Sequence, residues 1–442
     1  MDFKEFILLY DGTDISALAL KRSRLCSDVE DWDLALSTLE ARSKLRHKVP
    51  QWHAVPSLQY PKVLSAEQCS STETARYKAS LLSHFPSLST KTANSVDKPG
   101  ESPTCPPKHP VSVDKPDGVV EGLRVADLTG GLGVDAWTFC QVAEEVLYNE
   151  MDTELCRAAE HNFRELGVKN VVLRNRMVEP GTVMDILGGF EPDVLFLDPA
   201  RRGDGGRKVF RLEDCSPNVL ELLPELYDAC PSIMLKLSPM ADITAVCRQL
   251  AGVKEVHVVE ADGECKELLL ILEKGFEGDY GLYLYANGTV TEIPDQVGDD
   301  ARGKVVDNAG RSGRQGADIS NGVLFVPGKG LMKTGAFWWP ETFGLKQLAA
   351  STHMYIGGAK VPELEAFGKF YNIVETVPLN NRSIKDIGKK YPEADVTARN
   401  IPMTSDELRK RLGVRSSDGT VHIFGTSALD EGKVLIVSVI GK

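Results

Sequence analysis

Between residues 119 and 275, short runs of Val, Ile and Leu alternate with amphipathic stretches, and this alternation constrains the fold more than any other feature of the chain. The runs are RVADL, EVLYNE, NVVLRN, DVLFLDPA, IMLKLSP, VHVVEA and ELLLILEK; VDAWTFCQVA, DTELCRAAEHNFREL, NVLELLPELYDAC and ITAVCRQLA lie among them. A strand that is apolar without alternation is covered on both faces, so the pattern predicts an α/β domain with a doubly wound, largely parallel sheet. Only Asp262-Gly-Glu264-Cys-Lys separates VHVVEA from ELLLILEK, too short a link for a helical crossover. These two strands must pair antiparallel, closing the sheet with a hairpin.

The chain has 442 residues. At ~150 residues per domain that length implies about three folded units. Two composition breaks divide it. Residues 87–118 are rich in Pro, Ser and Thr and repeat one pentapeptide, at Ser95 to Pro99 and Ser112 to Pro116, which predicts a flexible linker. Gln296 to Gly322 is rich in Gly, Asp and Arg and predicts a surface loop. Residues 1–86 read as a helical domain, with WDLALSTLEARSKLRHK as one helix and Ser65-Ala-Glu-Gln68 as a capping box opening another. Residues 276–323 carry LYLYA-NG-TVTEI, whose Asn287-Gly288 signals a type I′ hairpin. Residues 324–442 mix strands (HMYIGG, YNIVETV, VHIFGT, KVLIVSVI) with helices (FGLKQLAA, SIKDIGKKY, TSDELRKRLG), an α+β unit.

The formal charge of −12 excludes nucleic-acid or membrane binding through bulk positive charge, so any such contact needs a local patch. The nine cysteines form no CxxC pair, and the eight histidines show no i, i+4 pairing. Neither a disulfide framework nor a metal site is indicated. The N-terminus does not read as a signal peptide and no window reaches the ~18 apolar residues of a membrane span, so a cytoplasmic protein is expected.

The chemistry concentrates at the first sheet strand, Val125-Ala-Asp127-Leu-Thr-Gly130-Gly131-Leu-Gly133-Val-Asp135. In an open α/β sheet, ligands sit at the carboxyl ends of the strands, and glycines there let the backbone approach them. Gly131-x-Gly133-x-x-Ala136 also fits a dinucleotide fingerprint, and Glu150 ends the next strand where a ribose-binding acid is expected in either case. Asp127 stands ahead of the glycines, however, where a carboxylate meets an ammonium rather than a pyrophosphate. With the terminal hairpin and the strand end Phe196-Leu-Asp198-Pro199-Ala200-Arg201-Arg202, this favours S-adenosylmethionine over NAD.

These features resemble a class I S-adenosylmethionine-dependent methyltransferase. More closely, the chain resembles a bacterial group in which that domain is followed by a small ferredoxin-like unit and a THUMP-like domain. Glu67-Gln-Cys-Ser70-Ser71 with Thr74-Ala-Arg-Tyr77-Lys78, DPARR, GECKELLL, Thr397-Ala-Arg399-Asn400-Ile-Pro402 and Leu408-Arg-Lys-Arg-Leu412 carry the likeness. It implies a seven-stranded sheet with S-adenosylmethionine over Gly130, Gly131 and Gly133, its amino group on Asp127 and its ribose on Glu150. The Gln68 to Lys78 segment, with Ser70 and Thr74, either closes the methionine pocket or is the polar face of a packed helix. The adenine-contacting acid is unassigned, since Asn175 occupies its place and Asp185 is ten residues on.

Asp198-Pro199-Ala200-Arg201 resembles the D/N-P-P-aromatic motif of enzymes that methylate exocyclic base amines, with Ala200 and Arg201 as departures. The resemblance gives Asp198, Pro199 and Arg201 the catalytic positions and RNA, as tRNA or rRNA, the role of partner, with guanine N2 as one such amine. Arg202, Arg207 and Lys208 follow directly, as a phosphate clamp or a solvated loop; Lys236 ends the fifth strand beside them. From Arg382 to Arg415 nine cations face five acids. Arg399, Arg409, Lys410 and Arg411 are there either an RNA-docking surface or a solvated helix face. Phe337-Trp-Trp339-Pro340 is a stacking platform or core. Methyl transfer to a small molecule or protein, and RNA binding without turnover, are the alternative functions.

Overall fold

The computed structural model describes residues 1–85, 111–112, 120–201, 211–294, 322–349, 351–417, 419–428 and 432–440. Nearly all of the expected linker and second loop, together with Arg202, Arg207 and Lys208, lies outside the described residues. Two compact units are formed, one holding residues 1–85 with most of 120–281, the other the residues from 282 onward.

The first unit is built on seven strands: β1 (Val120–Asp127), β2 (Ala143–Asn149), β3 (Val171–Arg174), β4 (Val194–Leu197), β5 (Ser232–Leu237), β6 (Val253–Ala261) and β7 (Glu264–Glu273). Their order is β6-β7-β5-β4-β1-β2-β3. β1 pairs in parallel with β2 and β4, β4 with β5, and β2 with β3; β7 runs antiparallel to β5. All four residues of β4 are buried, as its unbroken apolar run requires. The strand order reverses between β1 and β4, and the crevice at their carboxyl ends is where such a sheet binds its ligand.

Three of the N-terminal helices bear on the site: α1 (Trp32–Lys48), α2 (Val63–Gln68) and α3 (Thr72–Leu81). Asp31 caps α1 by accepting from the Leu34 N–H, so α1 begins and ends where its periodicity predicts. The expected capping box at Ser65 does not form. Ser65 lies inside α2, the chain breaks at Cys69, and Ser71 caps α3 by accepting from Thr74 N–H at 3.2 Å. Lys48 stabilises the break by donating to the Glu67 carbonyl at 2.5 Å, a cation at a helix C-terminus. The break turns Ser70 inward, to 5% exposure. Ala41, Leu45, Trp52, Tyr60 and Ala75 share one apolar cluster with Leu132, Val134 and Leu155, so the helices pack directly on the glycine turn.

In the second unit Asn287 and Gly288 take φ of 49° and 76° and join Gly281–Ala286 to Thr289–Ile293 as the expected hairpin. Residues 323–440 form a seven-stranded sheet, with helices Asn381–Lys390 and Ser405–Leu412 where the sequence predicts them. The helix expected over FGLKQLAA is absent. Gly344 at φ +82° ends the preceding turn, and Lys346–Gln347 instead pairs with Ile356 and Tyr355 as an edge strand.

Candidate functional site

From β1 the chain turns through Gly130, Gly131 and Gly133 into α4 (Val134–Phe139). Gly131 and Gly133 have φ of +54° and +93°, the left-handed region that L side chains seldom enter. Gly130 is required for another reason. A Cβ there would lie 2.1 Å from Cε2 of Tyr148, which is fully buried and donates its hydroxyl to the Gly131 carbonyl at 2.6 Å.

Glu150 is pinned before any ligand arrives. Its Oε2 accepts from Gly131 N–H and its Oε1 from Asp152 N–H, both at 2.8 Å. Asn175, at the place of the unassigned adenine contact, donates to the Glu150 and Met151 carbonyls at 2.6 and 3.2 Å and accepts from Thr153 Oγ1. Its amide shapes the loop behind Glu150.

Asp127 is 1% exposed. One oxygen, Oδ1, accepts from Thr129 N–H at 3.0 Å. The other, Oδ2, is buried with no hydrogen-bond partner among the described residues. Burial, then the carboxylate of Asp135, hold the Asp127 carboxyl well above the usual range. An orphaned acceptor beside a glycine cradle fits the ammonium and backbone of the amino-acid end of S-adenosylmethionine.

A buried charge network lies beside it. Lys78, on α3, has no exposed surface and donates to Ser70 Oγ at 2.8 Å and to both Glu267 oxygens at 2.8 and 3.1 Å; Asp135 Oδ1 is 3.1 Å away. Ser70 donates to Asp135 Oδ2 at 2.7 Å. Lys236, on β5, donates to Asp198 Oδ2 at 2.5 Å and lies 3.8 Å from Glu267. Burial alone would lower the Lys236 ammonium, but Asp198, Glu267 and Asp135 outweigh it and hold it above the ordinary lysine range. Burial likewise pushes Asp135 up, yet Lys78, Lys236 and the Ser70 hydroxyl bring it below the ordinary aspartate value. Asp198 is fixed at its backbone too, its N–H donating to Thr129 Oγ1 at 2.6 Å, while its side chain keeps 37% exposure.

The structure thus brings Asp127, the three glycines, Glu150, Ser70, Asp198 and Lys236 into one region of the first unit. Gln68 is exposed at the end of α2, and Thr74 is buried with its hydroxyl turned to the Ser71 carbonyl. Pro199 is buried, and Ala200–Arg201 pairs through its backbone with Cys215–Ser216. Lys78, Asp135 and Glu267 escaped the sequence reading as site residues, although all three stand within quoted motifs.

In the second unit Arg399 is half-buried, its guanidinium 3.4 Å from the Thr352 and His353 carbonyls. Arg409 lies 3.4 Å from Asp406, Lys410 is exposed, and Arg411 donates to Asn381 at 2.7 Å. Trp339 and Pro340 are buried, and Phe337 stacks on His353 at 3.9 Å. Among the described residues no group of three or more His, Cys, Asp or Glu is placed to hold a metal, and no helix is long and apolar enough to cross a membrane.

One consequence of the Asp127 site is a pH dependence. An ammonium seated on Asp127, such as that of S-adenosylhomocysteine, would favour the charged carboxylate, and its binding would expel the proton that the buried acid retains. Affinity is therefore low at acidic pH and rises with pH through the raised value of the free protein. Calorimetry across pH checks this. Asp127→Asn flattens the profile and weakens binding by about 10- to 100-fold, the range for a hydrogen bond to a charged group.

Residues 368–438 match the family model described as THUMP domain-like. A solved structure, the "putative methyltransferase" from Porphyromonas gingivalis W83, is 26% identical with a TM-score of 0.75, over 100% of this chain and 98% of its own. An rRNA methylase from Streptococcus thermophilus (14% identity, TM-score 0.25) aligns over 34% of this chain and 86% of its own. TrmK of M. capricolum in complex with S-adenosylhomocysteine (9%, 0.27) covers 36% and 66%. No curated protein matches the sequence. The chain has a methyltransferase fold followed by a THUMP-like domain.

Proposed function

We propose that the chain is an S-adenosylmethionine-dependent methyltransferase acting on RNA, tRNA or rRNA, at an exocyclic base amine such as guanine N2. The observation that carries this reading is the buried, unpartnered Asp127 oxygen beside a glycine cradle, with the anchored Asp198 in the same region.

Gly130, Gly131 and Gly133 bear the ligand's methionine and ribose portions, Asp127 accepts from its ammonium and Glu150 from its ribose hydroxyls. When bound, S-adenosylmethionine supplies an electrophilic methyl group on a sulfonium. Asp198 accepts a hydrogen bond from the acceptor amine, aligns its lone pair and stabilises the positive charge that grows on nitrogen. Lys236 and Thr129 hold Asp198 at its side chain and backbone, so little reorganisation accompanies the step. Three carboxylates surround the Lys236 ammonium, which blunts its opposition to that growing charge.

RNA as the substrate class rests on the THUMP-like match and on exposed cations along Asn381–Lys390 and Ser405–Leu412, among them Arg382, Lys385, Lys389, Lys410 and Arg411. The test combines calorimetry of S-adenosylhomocysteine with transfer of labelled methyl into bulk tRNA and rRNA. Purified protein is expected to bind the ligand and to label RNA. Absence of binding sinks the whole reading, whereas binding with label only in protein or small molecules removes RNA alone.

A further inference from the structure

The buried network has an uneven charge count. Asp135, Glu267 and Asp198 oppose Lys78 and Lys236, so three carboxylates face two ammoniums and one formal negative charge remains. All five groups are held by short contacts or burial. Lys78 is fully buried and the Glu267 side chain 3% exposed, so water screens them poorly. The network also reaches both ends of the site. Asp135 follows the glycine turn, and Lys236 grips Asp198 at the transfer end.

The cofactor and its product differ in charge. S-adenosylmethionine carries a sulfonium, whereas S-adenosylhomocysteine carries a neutral thioether; their ammonium and carboxylate groups are the same. A residual negative charge fixed in a poorly hydrated region acts on that one difference. Asp127 and Glu150 do not discriminate in this way, because they address the ammonium and ribose that both ligands share.

Resting on the cofactor reading above, we propose that the residual negative charge of the buried network of Lys78, Glu267, Asp135, Lys236 and Asp198 sets the preference of the site for the sulfonium cofactor over the thioether product, with Lys78 and Glu267 as the members that tune it. Lys78 brings a cation from the N-terminal helices and Glu267 an acid from the sheet's terminal hairpin, and their balance fixes the residual charge. Product release and product inhibition are thereby governed by two residues that need not touch either ligand.

The test is calorimetry of S-adenosylmethionine and S-adenosylhomocysteine with the full chain, comparing the ratio of the two dissociation constants. Lys78→Met removes a cation and shifts the ratio toward S-adenosylmethionine by about fivefold to tenfold. Glu267→Gln removes an acid and shifts it toward S-adenosylhomocysteine by a similar factor. The double variant keeps the wild-type charge and returns the ratio to near its original value. A purely structural role weakens both ligands together and leaves the ratio within twofold, which overturns the inference while the cofactor reading stands. Should Lys78→Met fail to fold, Glu267→Gln decides alone. A wild-type protein that binds neither ligand overturns both.

Discussion

Gly130→Ala is expected to weaken cofactor binding by about 100-fold or more. The new methyl group meets the Tyr148 ring at 2.1, 2.4 and 2.7 Å, where carbon atoms normally approach no closer than about 3.5 Å. The ring has no room to retreat. It is fully buried, packs edge-on against Phe163 at 5.4 Å, and is tethered through its hydroxyl to Gly131. The turn itself must move, breaking the 2.7 Å bond from Gly130 N–H to the Asn149 carbonyl and pulling Gly131 from Glu150. Overpacking of this kind costs about 1–3 kcal/mol, which lowers the melting temperature by several degrees, and ligand affinity falls about 100-fold or more. Thermal melting and calorimetry read the two effects, and wild-type affinity in the variant would show that the turn is not the ligand cradle.

Asp198→Asn leaves S-adenosylhomocysteine affinity within about threefold and lowers the rate of methyl transfer about 100- to 1,000-fold, the range for removing one preorganised group from a transition state. The amide keeps the shape of the side chain and its backbone bond to Thr129, but it has lost the negative charge that the proposed role sets against the acceptor amine. Lys236→Met acts in the same direction with a smaller effect, since Asp198 keeps its charge and loses only its anchor. Single-turnover rates with labelled cofactor separate these losses from binding. An Asp198→Asn protein that transfers methyl at the wild-type rate would exclude the role given to Asp198.

The sheet was legible in the sequence because burial on both faces leaves one reading for runs such as DVLFLD and ELLLILEK, and the five-residue link at Asp262 leaves one pairing. The placing of Asp127, the glycines and Glu150 at neighbouring strand ends was legible because they follow one another along two consecutive strands. The charge network was not, for a physical reason. Lys78 and Glu267 are 189 residues apart, and a lysine or serine on a helix reads as solvated until a partner surface covers it. The capping error has a local cause. Ser65 and Ser71 offer the same chemistry, and the break at Cys69 selects the second. In FGLKQLAA the helical spacing of the leucines gave no warning of Gly344, whose left-handed conformation ends the turn.

The placement of α3 also bears on how the chain is made. Tyr77 hydrogen-bonds His257 at 2.7 Å and Lys78 bonds Glu267, so two adjacent residues of an early helix take partners from the last two strands of the first unit's sheet. At a synthesis rate of about 5–20 residues per second, the 189 residues between Lys78 and Glu267 take roughly 10–40 s to emerge. Throughout that interval the ammonium that will be buried lacks its Glu267 partner. The buried charge network therefore cannot be completed while the terminal hairpin is still in the ribosome. It closes when that hairpin arrives, and a nascent chain stalled before Glu267 holds the network open.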